Sequence, residues 1–310
     1  MTPSTHRGLH GIWPALTTPL TSHGAIDHDR FAAHSRRLLE AGCPGLTPFG
    51  TTGEGPSFSV AERIDALDAL IERGVPAQRL LVSVSCAALP DVIALTRDAQ
   101  RRGCWGVLMM PPFFFKGASD AGIVDAYREL LDATRERPLR LVLYHIPQVA
   151  GVGVSAAVVE ELLRREPERI IGIKDSAGDR ALSLALAQAF MPGGAGIGVH
   201  VGHEPDLPSL GRLGSDGAVS GIANFMPRTV RRLVQQPDSA EAAADLERVE
   251  RLITLLRRYD VIPAVKAVQA ITSGDAAWRR MRAPMRGLDD RAFDALARDL
   301  APLALDASTD

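Results

Sequence analysis

The feature that most constrains the fold of this chain is a regular alternation between short apolar segments and longer amphipathic ones. The short segments are rich in β-branched and apolar residues, which favours β-strands, and helical patterns follow them. Strands that alternate with helices in this way pair in parallel, so the pattern predicts an α/β fold. Eight strands are predicted, at residues 11–20, 45–49, 80–85, 107–110, 141–146, 170–173, 197–201 and 217–224.

Several of the predicted helices have recognisable start signals. Ser59 and Glu62 have the spacing of a capping box, in which each side chain accepts a hydrogen bond from the other residue's backbone N–H. Ser119 and Ser155 are predicted N-caps of two further helices. The helices predicted between the strands span 27–41, 60–72, 90–102, 120–134, 156–165 and 181–190, with a short one before the last strand.

The number of strand–helix units indicates the architecture. Eight units between residues 11 and 224 match the size of a closed (β/α)8 TIM barrel. An open doubly wound sheet is the alternative, but it usually has fewer strands and a glycine-rich first turn, and no GxGxxG motif follows the first strand. Later residues show only helical patterns, at 229–235, 242–258, 262–271 and 289–300. We therefore predict a barrel over residues 1–228, with the last barrel helix and a helical C-terminal extension over residues 229–310.

Composition excludes several classes of protein. With 46% hydrophobic residues and a net charge of −2, the chain is neither disordered nor built to bind a polyanion, so no nucleic-acid partner is expected. The three cysteines lack CxxC spacing, which argues against a disulfide framework or a zinc site and favours free thiols in a reducing cytosol. No signal-peptide pattern and no 18-residue apolar run is present, so we expect a cytoplasmic protein without a membrane partner.

One predicted strand ends in a lysine. Residues 170–173 form a β-branched apolar run typical of a strand buried on both faces, and Lys174 follows directly. Only Lys116, Lys174 and Lys266 are lysines among 35 basic residues, so arginine supplies most of the positive charge. A desolvated lysine that loses its proton is a nucleophile for carbonyl carbon, which makes Lys174 a candidate Schiff-base residue. The alternative is a strand-end lysine whose ammonium reaches solvent.

Other candidate residues follow neighbouring strands, at the carboxyl ends where barrels of this kind place their active sites. Thr51 and Thr52 lie between glycines, and such a turn offers backbone N–H groups to a small anion such as a carboxylate. Tyr144, with His145, lies near the end of the fifth predicted strand, where its hydroxyl could transfer protons near Lys174. An ordinary glycine-rich turn and an ordinary strand tyrosine are the alternatives. A carboxylate cradle, a tyrosine and a lysine on one face together fit a Schiff-base enzyme acting on a 2-oxo acid.

Five segments resemble the dihydrodipicolinate synthase / N-acetylneuraminate lyase family. They are FGTTGE (49–54), LYHIP (143–147), GIKDSAG (172–178), GAVSGIANF (217–225) and PAVKA (263–267), and the resemblance extends over residues 9–300. It implies a (β/α)8 barrel and class I, pyruvate-dependent lyase chemistry that needs no metal or cofactor. It also implies a homotetramer built as a dimer of dimers. At least one ring of the aromatic run 113–115 is expected to be buried at a subunit contact.

The resemblance also implies roles for individual residues. Lys174 would form the Schiff base with pyruvate or another 2-oxo acid, and Tyr144 would be the proton-transferring phenol. Thr51 and Thr52 would cradle the substrate carboxylate, and the Val219 carbonyl would line the pocket near Tyr144. The predicted site comprises Lys174, Tyr144 and Thr51 as catalytic residues and Gly50, Thr52, Gly202, His203, Glu204 and Val219 as substrate-binding residues, with no metal ligand.

Three departures from the family patterns bear on the substrate. Phe114 stands where the synthases carry a relay tyrosine from a neighbouring subunit. Gln148 follows the LYHIP segment, and no arginine is present there to hold the second carboxylate of the aspartate semialdehyde adduct. Residues 202–205 read GHEP, with a proline at the second acidic position of the sialic acid lyase pattern. His203 has an equal claim as a solvated loop residue or as a substrate contact.

Together these observations predict a class I aldolase or lyase. It would make or break a C–C bond between pyruvate, or another 2-oxo acid, and an aldehyde. One alternative is 4-hydroxy-tetrahydrodipicolinate synthase. An alternative from another class is a non-catalytic 2-oxo-acid-binding protein that has kept the fold. The three departures predict that the pocket for the aldehyde is more apolar than the corresponding pocket of the synthases or of the sialic acid lyases.

Overall fold

The centre of the molecule is a seven-stranded, fully parallel sheet. The structure is a computed structural model that describes residues 8–191, 196–303 and 305–306. The described strands are β1 (Gly11–Pro14), β2 (Leu81–Ser83), β3 (Gly106–Met109), β4 (Leu141–His145), β5 (Ile170–Asp175), β6 (Gly198–Val201) and β7 (Gly217–Ser220). Their order in the sheet is β1-β7-β6-β5-β4-β3-β2. All seven are buried along their whole length, which explains their nearly continuous apolar sequences.

The strand predicted at residues 45–49 is not a strand in the structure. This segment makes two isolated parallel bridges instead, Leu46 with Leu80 and Thr47 with Ala15. Pro48 has no N–H to donate to a ladder, and Phe49 has a φ of 60°, outside the β region, so pairing stops after two residues. The segment nevertheless links the two outer strands of the order, β1 and β2, and the sheet is therefore curled.

The last predicted strand, 217–224, is also shorter than expected. β7 ends at Ser220, and the chain turns helical at Gly221, whose φ and ψ are −73° and −43°. Asn224 therefore lies in a 3₁₀ turn, Ile222–Asn224, rather than on the strand. Its buried side chain accepts a hydrogen bond from the Thr17 amide and donates to the Ala15 carbonyl, so it stabilises the end of β1.

The predicted helices form, with boundaries that shift by no more than two residues, and the predicted caps are confirmed. Ser59 and Glu62 make a complete capping box, and the Ser119 and Ser155 hydroxyls accept hydrogen bonds from backbone amides of the helices that follow. A one-turn helix after β4, α5, is additional. The described helices are α1 (His28–Glu40), α2 (Val60–Glu72), α3 (Leu89–Arg101), α4 (Asp120–Ala133), α5 (Pro147–Ala150), α6 (Ala156–Arg165), α7 (Arg180–Phe190), α8 (Leu207–Arg212), α9 (Pro227–Gln235), α10 (Ala240–Leu256), α11 (Val261–Ser273) and α12 (Asp290–Leu300).

The two faces of the curled sheet bury different apolar clusters. On β4, Leu141 and Leu143 belong to the large cluster shared with the helices, whereas Val142 and Tyr144 belong to a smaller cluster on the other face. This alternation follows from the two-residue period of a strand. Tyr144 and Lys174 are partners in the β4–β5 register, so both side chains lie on the face opposite the helices.

The C-terminal helices complete the structure. α9 packs against β1 and β7, and α11 contacts both α10 and α12. No helix in the described part of the chain combines the length and apolarity needed to cross a bilayer. The predicted division into residues 1–228 and 229–310 stays a prediction, and within it residues 1–7, 192–195, 304 and 307–310 lie outside the described residues.

Candidate active site

Lys174 lies near the carboxyl end of β5 and is almost completely buried, with 5% of its surface exposed. Its Nζ lies over the ring of Tyr144, 4.3 Å from the ring centroid. Among the described residues, no carboxylate lies within ion-pair distance of this Nζ. A buried amine without a fixed counter-ion is a setting in which proteins use lysine as a nucleophile.

Gly202 makes room for this lysine. Its amide donates a 2.7 Å hydrogen bond to the Asp175 carbonyl, which holds the turn after β6 against the end of β5. A Cβ on Gly202 would lie 2.9 Å from the Cε of Lys174 and 2.1 Å from the Oγ of Ser176. Since any larger residue would displace the lysine side chain, Gly202 contributes to the site through the absence of a side chain.

The hydroxyl of Tyr144 is connected to the glycine-rich loop. The Thr51 Oγ1 and the Tyr144 hydroxyl are 3.2 Å apart, and either atom can be the donor. Within the described residues, the amides of Thr51 and Thr52 donate to no protein acceptor, and both residues line the cavity next to Lys174. Gly50 does not line the cavity. It is buried, and its carbonyl accepts hydrogen bonds from Gly53 and Gly55 that close the loop.

The cavity around these groups has a volume of about 610 Å³, enough for a small-molecule substrate. One wall carries the polar groups from the ends of the strands, and Val219 also lies there. The other wall comes from the C-terminal helices and is mostly apolar. That second wall consists of Ile253, Leu256, Arg257, Asp260, Val261, Ile262, Pro263, Val265 and Met285. Apart from the PAVKA segment at 263–267, sequence patterns did not indicate this wall, because its residues are far from the strands in the chain and look like ordinary helix-packing positions.

Glu204 and His203 line the cavity but are held by protein partners. The buried carboxylate of Glu204 accepts hydrogen bonds from the Ser220 hydroxyl at 2.7 Å and from the Gly221 amide at 3.1 Å. Glu204 therefore fixes the turn that follows β7. The ring of His203 bridges two charged groups, with Nδ1 2.8 Å from an Asp206 carboxylate oxygen and Nε2 3.2 Å from the Arg257 guanidinium. The carboxylate requires a proton on Nδ1, so Nε2 accepts from Arg257.

The environment of Asp206 supports that assignment. Burial alone would raise the pKa of the Asp206 carboxyl, but hydrogen bonds from His203 and Arg180 bring the pKa below its ordinary value. The carboxylate therefore stays ionised at neutral pH and orients the His203 ring. Arg257, which the sequence did not identify as a site residue, is held in turn at the rim of the cavity.

The residues at the three departures occupy different places. Gln148 and Val149 line the cavity, and the Gln148 amide donates to the Ser176 carbonyl at 2.5 Å. Phe114 is 70% exposed and Phe115 is 75% exposed, outside the cavity wall. Pro205 is buried in the 3₁₀ turn Glu204–Asp206 and does not line the cavity. Phe114 and Gln148 therefore present neither a phenol nor a guanidinium to the cavity.

The sequence predicts free cysteine thiols and no metal ligand. Cys43, Cys86 and Cys104 are free, and burial raises the pKa of the Cys43 thiol to about 12, so that thiol is not a nucleophile at neutral pH. In residues 8–191, 196–303 and 305–306, no three His, Cys, Asp or Glu side chains are grouped so that they could hold a metal ion.

Comparison with known proteins places this geometry in a family. The model of the dihydrodipicolinate synthetase family matches residues 8–302. An uncharacterized DapA-like lyase of Chloroflexus aurantiacus is 34% identical over 292 residues, covering 92% of this chain and 94% of the relative.

Two crystal structures are also similar. Dihydrodipicolinate synthase from Agrobacterium tumefaciens has a TM-score of 0.89 and 31% identity, over 95% of this chain and 99% of that one. A prophage protein of E. coli K12 from the dihydrodipicolinic acid synthase family, solved in complex with pyruvate, has a TM-score of 0.85 and 25% identity, over 95% and 98% of the two chains. The chain therefore belongs to the dihydrodipicolinate synthetase family.

Proposed function

We propose that this protein is a class I aldolase or lyase that joins pyruvate, or another 2-oxo acid, to an aldehyde or cleaves their adduct. The observation that carries the proposal is the buried Nζ of Lys174, 4.3 Å from the Tyr144 ring centroid, in a cavity that also contains Thr51 and Thr52. The relative solved with pyruvate supports the choice of ligand. The family membership of the chain supports lyase chemistry.

In the proposed reaction, the Lys174 amine attacks the carbonyl carbon of the 2-oxo acid and the resulting carbinolamine loses water to give an iminium. The iminium withdraws electrons from the neighbouring carbon, which can lose a proton to give an enamine or break its bond to the aldehyde carbon. Tyr144, with Thr51 3.2 Å from its hydroxyl, would transfer the protons that these steps require. The amides and hydroxyls of Thr51 and Thr52 would hold the carboxylate, and the Val219 carbonyl would complete the wall.

The same proposal includes the closed fold that such sites occupy. We propose that the segment containing Leu46 and Thr47 takes the place of an eighth strand between β1 and β2. It forms one parallel bridge to a residue adjacent to each of these strands. A closed (β/α)8 barrel would bring Thr51 on this segment's loop to the carboxyl end of β4, where Tyr144 stands. The 3.2 Å contact between their hydroxyl groups is consistent with that closure.

4-Hydroxy-tetrahydrodipicolinate synthase remains the second candidate, because relatives with that name match over nearly the whole chain. The synthase of Kineococcus radiotolerans, for example, is 31% identical over 310 residues. Arg257 is the observation in this structure that favours it, since this guanidinium lines the cavity and could meet a second carboxylate. The retained lysine, tyrosine and threonine pair speak against a non-catalytic binding protein.

A covalent trap tests the proposed chemistry. Incubation with pyruvate and borohydride is expected to reduce the imine and to add a pyruvyl-derived mass to Lys174, identified by peptide mass spectrometry. Lys116 and Lys266 are internal controls, since one lies outside the cavity and the other is fully buried in an ion pair. Label on either of these residues, or on none of the three, would contradict the Schiff-base mechanism.

Assembly can be tested separately. Phe114 and Phe115 are largely exposed in the single chain and pack edge to face, with ring centroids 5.2 Å apart. Adjacent exposed aromatic rings are typical of a contact surface, so we expect a homo-oligomer, and a tetramer by family resemblance. Light scattering at micromolar concentration should give a multiple of the 33.2 kDa chain mass. A stable monomer would show that these rings do not mediate assembly.

A further inference from the structure

The loop that carries Thr51 and Thr52 is strained and tightly packed. Phe49 and Glu54, at its two ends, have φ angles of 60° and 56°, in the left-handed region that non-glycine residues rarely occupy. Between and beside them, Gly53 and Gly55 have no space for a Cβ, which would lie 2.5 Å from the Leu16 carbonyl oxygen and 1.9 Å from the Phe49 carbonyl oxygen respectively. A loop with this geometry keeps its shape only if the surrounding structure holds it.

The side chain of Glu54 anchors the loop to the surrounding structure. Its carboxylate accepts a 2.6 Å hydrogen bond from the Lys266 Nζ, and both side chains are 0% exposed. The Lys266 Nζ also donates to the Thr18 carbonyl at 2.9 Å, and the Thr18 hydroxyl donates to the Gly53 carbonyl at 2.7 Å. The backbone of residues 53 and 54 is thus tied both to α11 and to the segment after β1.

We propose that the Glu54–Lys266 ion pair positions the loop amides that receive the carboxylate of the substrate. Lys266 is then a positioning residue, because it acts on the substrate only through the loop. The inference rests on the proposed function, since it assumes that Thr51 and Thr52 bind a carboxylate. It adds that the C-terminal helix α11 sets the affinity of that subsite.

The Glu54–Lys266 pair is both charged and buried, which supports a role other than stabilising the fold. A buried ion pair is a poor way to stabilise a fold, because apolar residues of the same size often serve as well or better. Burial lowers the pKa of the Lys266 ammonium, and the Glu54 carboxylate opposes that shift. The ion pair does, however, fix the distance and orientation between α11 and the loop at Glu54, which an apolar contact cannot do. It joins α11, whose Pro263 and Val265 line the cavity, to the loop on the facing wall.

Lys266→Met tests the proposal, since methionine fills a similar volume and removes the donor. The readout is borohydride labelling of Lys174 over a range of pyruvate concentrations. We expect the half-saturating pyruvate concentration to rise by about 10- to 100-fold, as for a misplacement of binding groups by about 1 Å. Labelling by acetaldehyde, which has a carbonyl but no carboxylate, should change little, because only the carboxylate subsite is displaced.

Two further variants separate positioning from stability. Asp98→Asn is the matched control, because Asp98 is a buried carboxylate on α3, 2% exposed, that pairs with Arg101 and Arg102 and does not line the cavity. It should lower the melting temperature without changing the half-saturating pyruvate concentration. Thr18→Val removes only the hydroxyl that holds the Gly53 carbonyl, and it should raise that concentration in the same direction by a smaller factor.

The outcomes distinguish the two levels of the proposal. If the unmodified protein is not labelled at Lys174, the proposed function is wrong. If it is labelled and Lys266→Met shows the pyruvate dependence of Asp98→Asn, the positioning role is wrong. Equal losses with pyruvate and acetaldehyde would also overturn it, since they would indicate general damage to the site. If Lys266→Met does not fold, the same two criteria apply to Thr18→Val.

Discussion

Replacing Lys174 with arginine is expected to abolish imine formation and to lower turnover by on the order of 10⁴-fold or more, the scale seen when a covalent nucleophile is removed. A guanidinium keeps the positive charge but stays protonated, so it cannot attack a carbonyl carbon. If Lys174 served only as a cation for the substrate carboxylate, arginine would retain much of the activity. The measurements are borohydride labelling with pyruvate and steady-state turnover on the cleavage substrates described below.

Lys116→Arg is the matched control for this substitution. Lys116 donates hydrogen bonds to the Phe113 and Ala150 carbonyls, and it does not line the cavity. Arginine can make the same contacts, so both labelling of Lys174 and turnover should persist. Substantial activity in a normally folded Lys174→Arg variant would rule out the Schiff-base mechanism.

Condensation of pyruvate with aspartate semialdehyde is expected to reach only a trace rate. The family resemblance implies that the synthases use a relay phenol at the position of Phe114, whose ring here is 70% exposed and outside the cavity. Loss of a general acid–base group typically lowers the rate by about 10²–10⁴-fold. The resemblance also implies an arginine in the synthases near the position of Gln148, whose amide here already donates to the Ser176 carbonyl. A carboxylate brought to that side of the cavity would have no cation there, which costs several kcal/mol.

The assay couples condensation to reduction of dihydrodipicolinate and runs beside a panel of 2-oxo-3-deoxy sugar acids and 4-hydroxy-2-oxo acids tested for pyruvate release. Cleavage of at least one panel member, with only trace condensation, is the expected result. Condensation at ordinary enzyme rates, ~1–10³ per second, would show that the departures do not exclude the synthase reaction. Arg257 would then be the cation responsible, and Arg257→Gln should remove that condensation while imine formation at Lys174 persists.

The sequence by itself determined the order and type of most elements, because those depend on residues close together in the chain. The alternation of apolar runs and amphipathic segments was sufficient to predict α/β architecture, and the cap residue Ser59 was sufficient to locate the start of α2. That Lys174 and Tyr144 lie close together could be predicted because each is near the carboxyl end of a recognisable strand, and parallel strands end on the same side of a sheet. The prediction of a strand at residues 45–49 was wrong, because Pro48 and the left-handed backbone conformation of Phe49 end the pairing early.

Only the tertiary structure decided what surrounds these two residues. Glu54 and Lys266 are 212 positions apart, and no local pattern could indicate that they meet. Arg257 and His203, 54 positions apart, likewise meet only in the folded chain. The importance of Gly202 also appears only there, because this residue leaves space for the Lys174 side chain. The physical reason is that periodicity and capping report contacts within a few residues of the chain. The shape and charge of a cavity depend on which distant helices pack over it, and that is settled only when the whole chain has folded.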